Sequence, residues 1–170
     1  MRALVRTAGQ AALAGIAAMT LAGCVAGQAG TLGLTTSEDG RIVAVLVLCD
    51  DALDRVVTMR DAGDGAEEVG LLVHDGRLDK GTYEVVLEAP PDDWRTTTPL
   101  EPLRADAEYE TFATSEDHGW YAYGPTWKTS DLAGLRPGHV LYERAFFEGD
   151  EERFEKVAVP RREFEADACG

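Results

Sequence analysis

From Arg41 onward the apolar positions fall in short runs and two-residue alternations, which is the pattern of strands. Ile42-Val43-Ala44-Val45-Leu46-Val47-Leu48 is unbroken and rich in β-branched residues, so it predicts a strand covered on both faces. Arg55 to Met59 and Val69 to Val73 are further strand patterns, followed by the turn pairs Asp64-Gly65 and Asp75-Gly76. Thr82 to Glu88 alternates, with Tyr83, Val85 and Leu87 on one face. Glu108 to Thr114, Trp120 to Tyr123, Val140 to Phe147, Phe154 to Val159 and Glu163-Phe164 complete the set. After residue 24 no apolar stripe of helical period persists for about three turns. The nearest helical piece is Ser130 to Leu135, with Ser130 as the predicted cap and Arg136-Pro137-Gly138 as its end.

About eight strands at short spacing in about 130 residues predict an all-β domain of sandwich type over residues 41–170. Leu135-Arg136-Pro137-Gly138 followed by Tyr142 resembles the Leu-x-Pro-Gly-x-x-Tyr corner of fibronectin type III domains, with the Tyr one residue late. The resemblance covers eight residues and implies an immunoglobulin/fibronectin-like β-sandwich. The connection from Pro90 to Ala105 carries four prolines and Trp94, and reads as a sheet crossing or a binding loop.

The N-terminus has a different pattern. Arg2 and Arg6 precede an apolar run from Ala11 to Met19, and no acidic residue occurs before Glu38. At 1.5 Å per residue the run is too short for about 30 Å of hydrocarbon, so it reads as a secretory signal over residues 1–23. The run ends in Leu21-Ala22-Gly23-Cys24, which resembles the lipobox of bacterial lipoproteins. That resemblance implies cleavage before Cys24, a diacylglycerol on its thiol and a membrane partner through that lipid. The expected place is the extracytoplasmic face of the cell membrane. With 13 Arg, 3 Lys and no Asn, the whole resembles small lipoproteins of GC-rich Gram-positive bacteria. Residues 24–40 are small, polar and Gly-rich, and read as the lipidated Cys and a flexible tether.

Lipidation of Cys24 accounts for the odd cysteine of three and leaves Cys49 and Cys169. In an oxidising compartment these two can close a loop of about 120 residues; two free thiols is the alternative. The net charge of −15 becomes two units more negative without Arg2 and Arg6, and excludes a nucleic-acid partner, which needs a basic face.

The catalytic motifs are missing. Ser37, Ser115 and Ser130 sit in neither G-x-S-x-G nor S-x-x-K, and His74, His118 and His139 lack metal-ligand spacing. No cofactor and no metal are expected. Ser115-Glu116-Asp117-His118 holds the residue types of a triad but reads as a turn. The acidic doublets read as solvated loops. One cluster stands out: Trp120-Tyr121-Ala122-Tyr123-Gly124-Pro125-Thr126-Trp127, four aromatics in eight residues. Tyr121, Tyr123 and Trp127 are the candidate binding surface for an envelope protein or polysaccharide. The expected function is therefore a non-catalytic, lipid-anchored binding module. The alternative is a small envelope hydrolase using loop carboxylates or His118.

Overall fold

The strand Ile42–Leu48 is buried at every position because its two faces meet two different apolar layers. Ile42, Ala44, Leu46 and Leu48 join the main core, while Val45 and Val47 join a second cluster with Val140, Tyr142, Val159 and Phe164. A two-residue period with apolar side chains at every position has no other way to avoid water.

The computed structural model describes residues 27–50, 53–63, 65–149 and 151–169. The signal over 1–23 and the lipidation site Cys24 lie outside them. The order is β1 (Gly27–Thr36), β2 (Ile42–Leu48), β3 (Arg55–Asp61), β4 (Ala66–His74), β5 (Gly81–Val86), β6 (Trp94–Thr98), β7 (Tyr109–Thr114), β8 (Trp120–Tyr123) and β9 (Thr126–Trp127). Then follow α1 (Thr129–Ala133), β10 (His139–Glu148), β11 (Glu151–Pro160) and α2 (Arg161–Asp167). The all-β class expected from the pattern is what forms. Among the described residues the division into two separate sheets, as in an immunoglobulin/fibronectin-like sandwich, is not seen. The eleven strands hydrogen-bond into one curled, mixed sheet in the order β11-β10-β1-β8-β7-β3-β4-β6, with β2 and β5 branching from β1 and β9 from β7.

The branch point is β1, and over residues 27–36 it corrects the reading of residues 24–40 as a tether. Residues 27–36 form a strand that pairs antiparallel with β2 from Gly30↔Leu48 to Thr36↔Ile42. Its other edge is shared: the first half runs parallel to β8, and Leu34 faces Leu141 of β10. Its glycines are there for closeness, not for flexibility. A Cβ on Gly30 would strike the Val47 carbonyl, and one on Gly33 would strike Val140 and Phe164. Gly27 lies beneath the Trp120 ring. Where backbones and rings approach this tightly, only a residue without a side chain fits.

Two further expectations change. The link Pro90 to Ala105 contains β6, which pairs with β4 and buries Trp94. Glu163-Phe164 is not a strand but part of α2, which follows Pro160. Phe164 is fully buried and meets the Tyr142 ring edge-on at 5.0 Å. The Tyr142 hydroxyl donates to the Asp167 carboxylate at 2.9 Å, rather than to the nearby backbone as a tyrosine corner would. Arg144 donates to Asp167 and Glu163 at 2.7 and 3.0 Å. The Cys49–Cys169 disulfide, with Cα atoms 5.7 Å apart, ties the end of this helix to the end of β2. In α1 the capping group is the Asp131 carboxylate, which accepts the Lys128 backbone N–H at 3.0 Å; Ser130 lies inside the helix.

Candidate functional site

Strands β8, β7, β3, β4 and β6 lie side by side, and their pleat decides which side chains face out. On β7, Tyr109, Thr111 and Ala113 point to the core, so Phe112 and Thr114 take the other face. Residues opposite one another across a ladder share a face. Thr114 faces Tyr121 on one side and Arg55 on the other, Arg55 faces Val73, and Val73 faces Arg95. One row further on, Phe112 faces Val57 and Val57 faces Leu71. The result is a second face with an aromatic end and a polar end, between which Thr114 and Val57 are covered by their neighbours.

At the aromatic end Phe112 and Tyr121 have ring centroids 6.0 Å apart, and Tyr121 and Tyr123 stack at 6.4 Å with planes 20° apart. Tyr123 is 52% exposed; Tyr121 and Phe112 are half-buried. Thus two of the three predicted surface residues share the face. Trp127 does not, and its assignment to a binding surface is corrected: it is fully buried, stacked on Tyr109 at 4.9 Å. Its Nε1–H donates to the Thr111 hydroxyl at 3.0 Å, which is linked to the Thr58 hydroxyl at 3.2 Å. The indole sits inside because its only polar atom finds a partner there. Trp120 sits at the rim, partly exposed, over Gly27.

At the polar end is a cleft of about 430 Å³ whose walls include Asp54, Arg55, His74, Arg95, Thr97 and Glu116. Arg55 Nη2 pairs with Glu116 at 2.9 Å. Its Nε lies 3.6 Å from Asp54 Oδ1, too far for a hydrogen bond, and neither buried atom has another partner among the described residues. Burial pushes the Asp54 carboxyl above its ordinary value, opposed by the positive charge of Arg55. His74 packs edge-on against Trp94 at 5.2 Å and holds the Gly76 carbonyl through Nδ1 at 2.7 Å. Arg55 is two strands from Tyr121 in register, or about 10 Å. Guanidinium donors and carboxylate acceptors thus lie on the same face as the ring stack, two strands away.

The Ser115–His118 segment is a turn. Ser115 Oγ donates to Asp117 at 2.5 Å and accepts the Trp120 N–H at 3.1 Å, and the side chain is wholly buried. The Ser115 hydroxyl first, and the Gly119 N–H second, hold the Asp117 carboxyl below its ordinary value. His118 is exposed at φ +54° and hydrogen-bonds to neither side chain. Among the described residues no three His, Cys, Asp or Glu side chains are grouped to hold a metal ion. No protein-family model matches the chain, and neither does any curated protein or solved structure.

Asp54, Arg55 and Arg95 were not singled out by their sequence, and His74 and Glu116 drew notice only for metal spacing and a triad-like run. They come from four separate places in the chain, and only strand pairing makes them neighbours. Phe112 did carry a signal, since it breaks the alternation of Tyr109, Thr111 and Ala113 with an aromatic on the wrong face for the core.

Proposed function

We propose that this chain is a non-catalytic lipoprotein of the bacterial envelope. Lipid on Cys24 holds it to the extracytoplasmic face of the cell membrane, and its outer sheet face binds an envelope polysaccharide. The observation that carries the binding half is the stack Phe112–Tyr121–Tyr123 beside the Arg55–Asp54–Glu116 cleft. Flat rings take the apolar faces of sugars, and forked charged groups take their hydroxyl rims. A polymer suits the site better than a single sugar, because the two ends lie about 10 Å apart.

Co-sedimentation of the membrane-extracted protein with purified cell-wall polysaccharide tests this half. Tyr123→Ala is expected to weaken binding about tenfold, the equivalent of about 1.4 kcal/mol for one stacked ring. Arg55→Gln is expected to weaken it at least as much. Binding that survives both substitutions unchanged sinks the reading.

The anchor has its own support in Arg2, Arg6, the short apolar run and Leu21-Ala22-Gly23-Cys24. Two acyl chains hold a protein at a bilayer where one is marginal, so full anchoring depends on complete processing at Cys24. Intact mass of the membrane fraction is expected to show a chain beginning at acylated Cys24. Cys24→Ala is expected to leave an unprocessed chain without the acyl mass. A Cys24→Ala chain of the same mature, acylated mass would refute the anchor.

A further inference from the structure

The hairpin β10–β11 is paired along its full length, from His139↔Pro160 to Glu148↔Glu151. Among the described residues, only those at its base are fixed to the body. Leu141 meets β1, Tyr142 and Val159 pack in the second cluster, and Arg144 reaches α2. Beyond Arg144 the described side chains are exposed on both strands. That leaves a ribbon of about four to five residue pairs, or about 15 Å, standing away from the core. Such a ribbon has little stability of its own, and its unpaired edges are open to a further strand.

Its apolar content is in an unusual place. Phe154 is 55% exposed and Phe146 40% exposed. Phe154 pairs with Ala145 and Phe146 pairs with Arg153, so consecutive positions on β10 put the two rings on opposite faces. A flat surface could cover only one of them. Both are covered only if the ribbon enters a groove. The exposed side chains around the rings include Glu148, Glu151 and Glu155, with Arg153 paired to Glu148 and Glu151. The groove that complements this tip is therefore apolar within and basic at its rim. A second copy of this chain is a poor occupant, because a net charge of −15 repels its like. An anionic bilayer is a poor one for the same reason.

We infer that the β10–β11 hairpin is a docking arm that inserts into a basic-rimmed apolar groove of a different protein, with strand addition along its free edges. Neither Phe146 nor Phe154 belongs to the ring stack or to the walls of the cleft. β10 runs antiparallel to β1, so the tip extends in the direction of Gly27, where the described chain begins. On the proposed lipid anchor, that puts the partner at the membrane, but the docking itself does not depend on the anchor.

The test is photo-cross-linking of the full chain in intact cells, with benzoylphenylalanine placed at Phe146 in one strain and at Phe154 in another. The expected result is a hetero-adduct of the same partner from both positions. Its yield should fall several-fold in Glu148→Gln/Glu151→Gln/Glu155→Gln and on raising salt in spheroplasts. These substitutions change exposed side chains only, and the single Glu151→Gln variant with an intact Cys49–Cys169 disulfide serves as the milder check. An adduct from one position only, an adduct with a second copy, an adduct with phospholipid, or a protein adduct indifferent to the glutamates and to salt would each overturn the inference. A chain that fails to fractionate with membranes while keeping the adduct would count against the anchor and not against the arm.

Discussion

Trp127→Ala is expected to cost about 3–5 kcal/mol of stability, whereas Tyr123→Ala, four residues away, should change it by about 0.5 kcal/mol or less. The indole of Trp127 is fully enclosed and stacked on Tyr109, itself 1% exposed. Removing it opens a void lined by atoms that cannot collapse inward, because β7 and β9 are held by their own ladders. It also takes away one of the two partners of the Thr111 hydroxyl and leaves it Thr58 alone. Tyr123 is half in water and leaves no cavity. Urea unfolding of the two variants checks the contrast through the midpoint at unchanged slope. Similar midpoints for both would mean that Trp127 is not in the core. The same pair separates folding from function, since Tyr123→Ala is the variant expected to lose ligand while keeping its fold.

Reduction of the Cys49–Cys169 disulfide is expected to destabilise the domain by about 2–4 kcal/mol. The bridge joins residues 120 apart in sequence, so in the unfolded chain it closes nearly the whole domain into one loop. In the folded state the effect is local. Phe164, the Tyr142–Asp167 bond and the Arg144 pairs still hold α2 after the bridge opens. Loss should therefore begin at the C-terminal helix and expose Val45, Val47 and Val140 beneath it. Thermal melts with and without reductant should differ by several degrees. Amide exchange should show 161–169 losing protection before β2 does, and Cys49→Ser/Cys169→Ser should behave like the reduced protein. Identical melts under both conditions would contradict the account.

The strand pattern was legible where the side chains themselves recorded burial. Ile42–Leu48 and Trp120–Tyr123 lie where the apolar runs placed them, and Val85 and Leu87 are buried on the predicted face with Tyr83 packed beside them. The disulfide followed from counting, because one of three cysteines sits in the lipobox-like segment and the other two remain. Three strands were missed, and each for a reason. β1 is rich in Gly, β6 lies among prolines and threonines, and β9 has two residues. Composition reports what a residue can do alone, and a glycine pressed against a carbonyl has the same composition as one in a linker.

What the sequence determined alone is the all-β class, the alternation along each strand and the pair of cysteines to be joined. Those depend on each segment's own period and chemistry. What only the tertiary structure decided is which aromatics of residues 120–127 lie inside. Alternation separates Trp127 from Tyr123 no better than it separates any two neighbours, and it is register against β7 that sends one inward and leaves the other in water. The cleft depended on the same thing: Asp54, Arg55, His74, Arg95 and Glu116 meet only because four segments distant in the chain are hydrogen-bonded side by side or end to end.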